Sequence, residues 1–203
     1  MDNRETLILF LRNPVVGQVK TRLAAGLGNE AALNVYEQLV EITQKQVAGL
    51  DLPVRLYFDS IPEFVSGKWG NQVSAHLQSG EDLGLRMSNA FSETFSQGAT
   101  KAVIIGSDCP DLETKHIREA FSALDQSDAV LGPALDGGYY LLGLKSHLPE
   151  IFYEVPWSTD RVFAVTLEKL QLSRKNVWIL PKLGDVDEPE DLGPYIRSGK
   201  IVL

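Results

Sequence analysis

Short apolar runs alternate with helix-period segments along nearly the whole chain, and this alternation limits the possible folds more than any other property. The runs at 6–11, 54–58, 73–77, 102–105, 129–131, 139–142 and 177–180 read as strands, and 102–105 is the clearest buried one. Between them, apolar residues at helical spacing mark helices over 29–47, 83–95, 117–124 and 161–170, with a weak short helix over 62–69. A closing helix over 189–196 carries proline at an early position, where its missing N–H is harmless. Such βαβ alternation predicts a doubly wound α/β domain with a mainly parallel sheet. The turn Asp136-Gly-Gly138, lying between two strands, predicts one antiparallel or edge element. No repeat, low-complexity tract or long linker divides the chain, so residues 1–203 are expected to form one domain.

Bulk properties narrow the partners. A net charge of -8 argues against nucleic acid, whose binders usually carry a basic face, but leaves room for a small anion or a carboxylate-bound metal. The single cysteine, Cys109, excludes an internal disulfide and suits a reducing compartment. No signal-peptide pattern opens the sequence, and no segment approaches the roughly 20 apolar residues of a membrane helix. A cytoplasmic protein with no membrane span is expected, and the sequence gives no handle on oligomeric state.

Against this acidic background, the segment after the first strand is locally cationic. Arg12, Lys20 and Arg22 flank a turn marked by Pro14 and Gly17, and a helix follows. Strand, loop and helix N-terminus is a layout that holds phosphate, because backbone N–H groups and the helix dipole favour an anion there. Arg12, Gly17, Lys20 and Arg22 are therefore candidates for nucleotide contact. The loop is not a Walker A motif: counting back from Lys20-Thr21, the required earlier glycine is Pro14 or Val15, and Gly17 lies too close.

Two acidic clusters follow other strands. In Ile105-Gly-Ser-Asp-Cys-Pro-Asp-Leu112, Asp108 emerges at a strand end, where a carboxylate suits Mg²⁺ or Mn²⁺. The bland alternative is that Asp108 and Asp111 cap the next helix. In Gly184-Asp-Val-Asp-Glu-Pro-Glu-Asp191, capping explains Glu190 and Asp191 well but Asp185 and Asp187 less well, since both precede Pro189. One carboxylate from each cluster, Asp108 with Asp187 or Asp185, could share a metal ion. Arg86, within Gly80-Glu-Asp-Leu-Gly-Leu-Arg-Met87, could reach a phosphate, or the segment could be an ordinary acidic helix start. Asp136 and Gly137 form either a hairpin turn or a ligand-facing opening, and Ser158 or Thr159 reads as a helix N-cap. Cys109 lacks a recognisable histidine base, which argues against covalent catalysis.

Six motifs occur in order: Arg12-x-Pro-x-x-Gly-x-x-Lys-Thr-Arg-Leu23, Gly80-Glu-x-x-Gly-x-Arg-Met87, Gly106-Ser-Asp-Cys-Pro-x-Leu112, Gly132-Pro-x-x-Asp-Gly-Gly-Tyr-Tyr140, Trp157-Ser-Thr159 and Asp185-Val-Asp-x-Pro-Glu-Asp-Leu192. Together they resemble a bacterial family of nucleotide-diphospho-sugar transferases with the GT-A glycosyltransferase fold, related to molybdenum-cofactor guanylyltransferase and 2-phospho-lactate guanylyltransferase. The resemblance implies a three-layer α/β/α domain with a mixed, mostly parallel sheet of seven strands. It implies phosphates against Arg12, Lys20 and Arg22, a metal at Asp108 and Asp187, and a second substrate facing 136–140. Glycosyltransferases of this fold often carry Asp-x-Asp, whereas Cys109-Pro110 follows Asp108 here, which is closer to the nucleotidyltransferase branch.

The resulting expectation is a Mg²⁺-dependent (or Mn²⁺-dependent) transferase moving a nucleotidyl or glycosyl group from an NTP or nucleotide-sugar to a small acceptor. Asp108 would hold the metal, while Lys20 and Arg22 would stabilise charge on the leaving group. The competing class is a non-catalytic nucleotide-binding or regulatory module; a metal-chelating acidic pair favours the enzyme.

Overall fold

Residues 4–61, 69–70 and 72–203 are described by the computed structural model, so the helix expected over 62–69 falls almost wholly outside the described residues. The strands are β1 (Glu5–Leu11), β2 (Val54–Phe58), β3 (Val73–Leu77), β4 (Lys101–Ile105), β5 (Ala129–Pro133), β6 (Tyr139–Leu144) and β7 (Val177–Ile179). The helices are α1 (Thr21–Leu27), α2 (Asn29–Val47), α3 (Leu83–Ser96), α4 (Thr114–Ala123), α5 (Val162–Leu172) and α6 (Leu192–Arg197). Most follow the hydrophobic period. Helix α4 starts earlier than its apolar face, because Glu113 and His116 form a reciprocal capping box ahead of the first core residue, Ile117. The expected closing helix is split: a short 3-10 turn at Pro189–Asp191 precedes α6.

All seven strands join one sheet in the order β3-β2-β1-β4-β6-β5-β7. Of these, only β6 is antiparallel, and it lies between β4 and β5. The Asp136 turn thus introduces an antiparallel strand, the first of its two expected readings, and that strand lies in the interior of the sheet.

Both faces of the sheet are covered, which explains why β1 and β4 are apolar at consecutive positions. Leu7, Leu9, Val103 and Ile105 point to one face and pack with Val47 of α2 and with Ile117, Ala120 and Phe121 of α4. Ile8, Ala102 and Ile104 point to the other, against Met87, Ala90 and Phe91 of α3 and Leu170 of α5. This period of two produces the three expected layers, α/β/α. Each fully buried Leu or Ile contributes about 1.5–3 kcal/mol, so these central strands form a rigid base for the loops at their carboxyl ends.

A third cluster joins Leu23 of α1, Ala32, Val35 and Leu39 of α2, and Leu192 and Tyr195 of α6 around the fully buried Val186. Val186 thereby anchors the segment that carries Asp185 and Asp187. From β1 the chain winds outward to β2 and β3, then returns to β4 on the other side of β1. The carboxyl ends of β1 and β4 thus form the topological switch point, where open α/β sheets bind ligands.

Candidate active site

A cleft of about 940 Å³ opens at this switch point. It is lined by Arg12 and Lys20 from the loop after β1, by Arg22 in the first turn of α1, by Arg86 and Met87 of α3, and by Gly106, Ser107 and Asp108 after β4. Asp136 and Gly138 of the β5–β6 turn, Tyr139 at the start of β6, Trp157 to Asp160, and Asp185 with Asp187 also line it. All six sequence motifs contribute to this single opening.

The loop after β1 is fastened at its start by Tyr36, whose hydroxyl donates to the Arg12 carbonyl and accepts from the Arg12 amide, both at 2.8 Å. Burial pushes the Tyr36 hydroxyl up to about 12, so it serves as a neutral clamp. Gln78 donates to the carbonyls of Leu11 and Tyr57, tying the ends of β1 and β2 together beside the cleft. The helix directly after the loop is α1, only seven residues long and capped by Lys20 in a left-handed conformation at φ 48°. The amides of Val15 and Gln18 are spent within the loop, on Asn13 and Val15 carbonyls. Those two loop amides are therefore not offered to an anion.

Lys20 and Asp108 occupy the centre. The Lys20 ammonium lies 2.7 Å from Asp108 Oδ1, 3.5 Å from Asp187 Oδ1 and 2.6 Å from the Val186 carbonyl it donates to. Its side chain is only 5% exposed. Arg22 pairs with the other oxygen of Asp187 at 3.1 Å. The Val186 amide donates to the Asp108 carbonyl at 2.9 Å, joining the two acidic segments directly. The two carboxylates singled out as metal ligands thus converge, and they do so on Lys20. Among the described residues, no group of three or more His, Cys, Asp and Glu side chains converges as a metal site.

Asp185 sits half-buried in the cleft, and its carboxyl is pushed up to about 6, chiefly by burial and then by the charge of Asp136. Asp136 turns inward on itself, accepting from the Gly138 amide at 2.7 Å. Arg86 lines the cleft while its Nε donates to the Gly80 carbonyl at 3.0 Å. Gly17 lies outside the cleft lining, in the turn at φ +77°. Gly137 makes no opening either: a Cβ there would meet the Asp160 carbonyl oxygen at 2.1 Å. That glycine lets the 157–160 segment close over the β5–β6 turn, which corrects its reading as room for a ligand. Gly84 does the same for Trp157, whose ring would lie 2.4 Å from an added Cβ.

Other candidates resolve into structural roles. Asp111 accepts from the Tyr195 hydroxyl and pairs with Lys200, and Asp191 caps the amides of Asp187 and Glu188. Neither Asp108 nor Asp111 caps α4, whose N-cap is Glu113. Helix α5 begins after Arg161 without a side-chain cap; Thr159 instead accepts from the Arg161 amide and donates to the Pro156 carbonyl. The Cys109 thiol is buried and pushed up to about 12, which removes it as a nucleophile. Sequence reasoning missed Tyr36 and Gln78 as cleft residues. Tyr36 sits on the buried face of a regular helix, and a lone glutamine carries no spacing signal, so only tertiary contact exposes either role.

The fold and this cleft define an α/β protein of the nucleotide-diphospho-sugar transferase type. More narrowly, residues 42–159, over half of the chain, match the family described as uncharacterized protein conserved in bacteria (DUF2064), and the chain belongs to that family. A protein from Desulfovibrio desulfuricans G20, provisionally described as a nucleotide-diphospho-sugar transferase, has a crystal structure that is 33% identical. It superposes with a TM-score of 0.87, covering 97% of this chain and 87% of that one. The 2-phospho-L-lactate guanylyltransferase of Methanocaldococcus jannaschii is 29% identical over 91% of this chain and 80% of its own length. CMP:2-keto-3-deoxy-manno-octonic acid synthetase, complexed with CTP, shares the fold at a TM-score of 0.54 and 10% identity over 98% of this chain and 100% of that one. The names of these relatives agree with the expected class of enzyme, a nucleotidyl or glycosyl transferase. No described helix is long and apolar enough to cross a membrane.

Proposed function

We propose that this protein is a Mg²⁺-dependent transferase whose donor is a nucleoside triphosphate or a nucleotide-diphospho-sugar. One observation carries the reading: the cations of the loop after β1 and the carboxylates Asp108 and Asp187 face one another in a single cleft at the sheet's switch point. Mg²⁺ commonly binds one or two carboxylates and takes its remaining ligands from phosphates and water. Asp108 and Asp187 already bracket one cationic atom, so their donor set fits such an ion, with the donor's phosphates completing it. When bound, the metal would supply charge neutralisation and polarisation of the phosphoryl oxygens.

The chain's own groups do the rest. Asp108 and Asp187 hold the ion. Arg12 and Arg22 bind the donor's phosphates, and Lys20 with Arg22 stabilises the negative charge that develops on the leaving group. Asp136, Asp160 and Asp185 line the remaining part of the cleft and meet the acceptor. Two donors are compatible with these parts. Nucleotidyl transfer, attack of an acceptor oxygen on the α-phosphorus with loss of pyrophosphate, has support in the guanylyltransferase relatives. Glycosyl transfer, attack on the sugar carbon with loss of the nucleoside diphosphate, is favoured by that acidic lining, which repels an anionic acceptor and suits one rich in hydroxyls.

A thermal-shift series of nucleoside triphosphates and nucleotide-sugars, each with and without Mg²⁺, tests the reading. A Mg²⁺-dependent rise in Tm is expected for one donor class. Pyrophosphate release from the triphosphate, or nucleoside diphosphate release from the sugar donor, then assigns the bond. Stabilisation by none of these ligands would overturn the proposal.

A further inference from the structure

We infer that Lys20 is an internal cation that keeps the Asp108–Asp187 pair assembled in the ligand-free protein and must leave it when a metal-bound phosphate enters. This rests on the metal-nucleotide reading of the cleft and adds an order of events to it. Two carboxylates held against one another repel unless a positive charge lies between them. Here the charge is the Lys20 ammonium, 2.7 Å from Asp108 and 3.5 Å from Asp187, with the Val186 carbonyl accepting at 2.6 Å. With Arg22 also on Asp187, two positive charges balance two negative ones.

The ammonium and a divalent ion cannot share that position. An ion bridging Asp108 and Asp187 needs the space between their oxygens, where Nζ lies. Lys20 nevertheless has somewhere to go. It lines the same cleft as Arg12, Arg22 and Arg86, and its four-carbon stem allows Nζ to swing several ångström toward an incoming phosphate. Its hold is uneven as well: Asp108 lies at 2.7 Å, whereas Asp187 lies at 3.5 Å. The residue also sits in a left-handed backbone conformation at φ 48°, a strain of the kind retained at working sites.

The consequence is a coupling between two ligands. Metal alone must compete with a buried ammonium, so it binds weakly. Phosphate offers the ammonium a new partner, so metal and nucleotide bind together. Lys20 is in this sense a positioning residue in the ligand-free state and a phosphate-binding one afterwards.

Binding of Mn²⁺ as MnCl₂, followed by the paramagnetic resonance signal of the free ion, tests this on the full chain. Wild type should bind Mn²⁺ alone weakly and together with GTP more tightly. Lys20→Met, which keeps the stem and removes the charge, should bind Mn²⁺ alone about tenfold more tightly than wild type, within the usual range of coupling between sites. Its Tm should fall in chelator and rise more on adding Mn²⁺ than that of wild type. The gain should vanish in Lys20→Met/Asp187→Asn, which places the ion at the carboxylate pair. Should Lys20→Met fail to fold, Lys20→Gln, which retains a donor for the Val186 carbonyl, carries the same expectation. Mn²⁺ affinity unchanged or lowered by loss of the Lys20 charge would overturn the inference, as would a gain that survives Asp187→Asn. If wild type still binds Mn²⁺ with GTP in that case, the reading of the cleft stands. Absence of Mn²⁺ binding to every variant, with or without GTP, would overturn both.

Discussion

Two lysines stand at opposite ends of the sheet in nearly the same chemical dress. At the amino end of β4, the Lys101 ammonium meets Glu5 at 3.1 Å, Asp125 at 2.7 Å and the Phe121 carbonyl at 3.0 Å. At the carboxyl end, Lys20 meets Asp108, Asp187 and the Val186 carbonyl. The side chains are 6% and 5% exposed. What differs is the setting. Lys101 grows from a central strand and stitches β1, β4 and the end of α4 together. Burial works to lower its pKa, yet the hydrogen bonds to Asp125 and Glu5 more than offset this and hold it above the ordinary lysine value. Lys20 grows from a loop and faces an open cleft with three arginines beside it. An ammonium between two carboxylates is a staple where nothing can reach it, and an exchangeable counter-ion where a phosphate can.

The sharpest way to break this comparison is to neutralise one carboxylate at each end. Asp108→Asn should lower turnover by roughly 10²-fold, the scale of losing a key electrostatic contact, whereas Asp125→Asn should leave turnover within about twofold. Initial rates of donor cleavage measure both; equal losses would erase the distinction between the two ends.

Next in size, Lys101→Met should destabilise the protein by about 1–3 kcal/mol in urea unfolding. That is below the cost of breaking a fully buried pair, because Asp125 remains largely in water and recovers hydration. Mn²⁺ should not restore this loss. Restoration would show that the amino end binds metal too.

Asp185 tests the electrostatics of the open end through pH. Its carboxyl is raised from the ordinary 3.8 to about 6 in the folded protein. The folded state therefore holds that proton more tightly than the unfolded chain. This stability is complete below about pH 3.8 and is lost as pH rises through 6. Measured in chelator, Asp185→Asn should raise Tm at pH 8 and change it little at pH 4. Equal shifts at both values would remove the charge explanation.

The smallest effect belongs to Arg22, whose side chain is 58% exposed. Arg22→Ala should change stability by less than about 0.5 kcal/mol, as expected of a surface ion pair. Nucleotide affinity by calorimetry should nevertheless fall several-fold, and more at low salt than at high. A stability loss without an affinity loss would make Arg22 a structural residue like Lys101.

Much of this contrast was legible in the sequence, and the remainder was hidden for identifiable reasons. Apolar runs marked all seven strands, most plainly the central β1 and β4, whose two faces are both covered, and less plainly the more exposed edge strands β3 and β7. The motifs brought Lys20, Asp108 and Asp187 onto one short list. What spacing could not convey was that Lys20 lies between the acids, since 88 and 79 residues separate successive members of the trio and the contact is made only by the sheet's winding. One motif glycine misled for a related reason. Gly137 read as a ligand-facing opening, but it is the point where the Asp160 backbone presses in, as Gly84 is for Trp157. Short helix α1 was absorbed into the loop because its seven residues carry one buried side chain, too few to mark a period.

The central claim is that the cleft binds a donor's phosphates through a metal held by Asp108 and Asp187. Isothermal titration of wild type and Asp108→Asn with a nucleoside triphosphate and a nucleotide-sugar, in Mg²⁺ and in chelator, tests it most directly. Tight binding that requires both Mg²⁺ and the Asp108 carboxylate is the predicted result; binding of equal strength in chelator, or undiminished in Asp108→Asn, would contradict it.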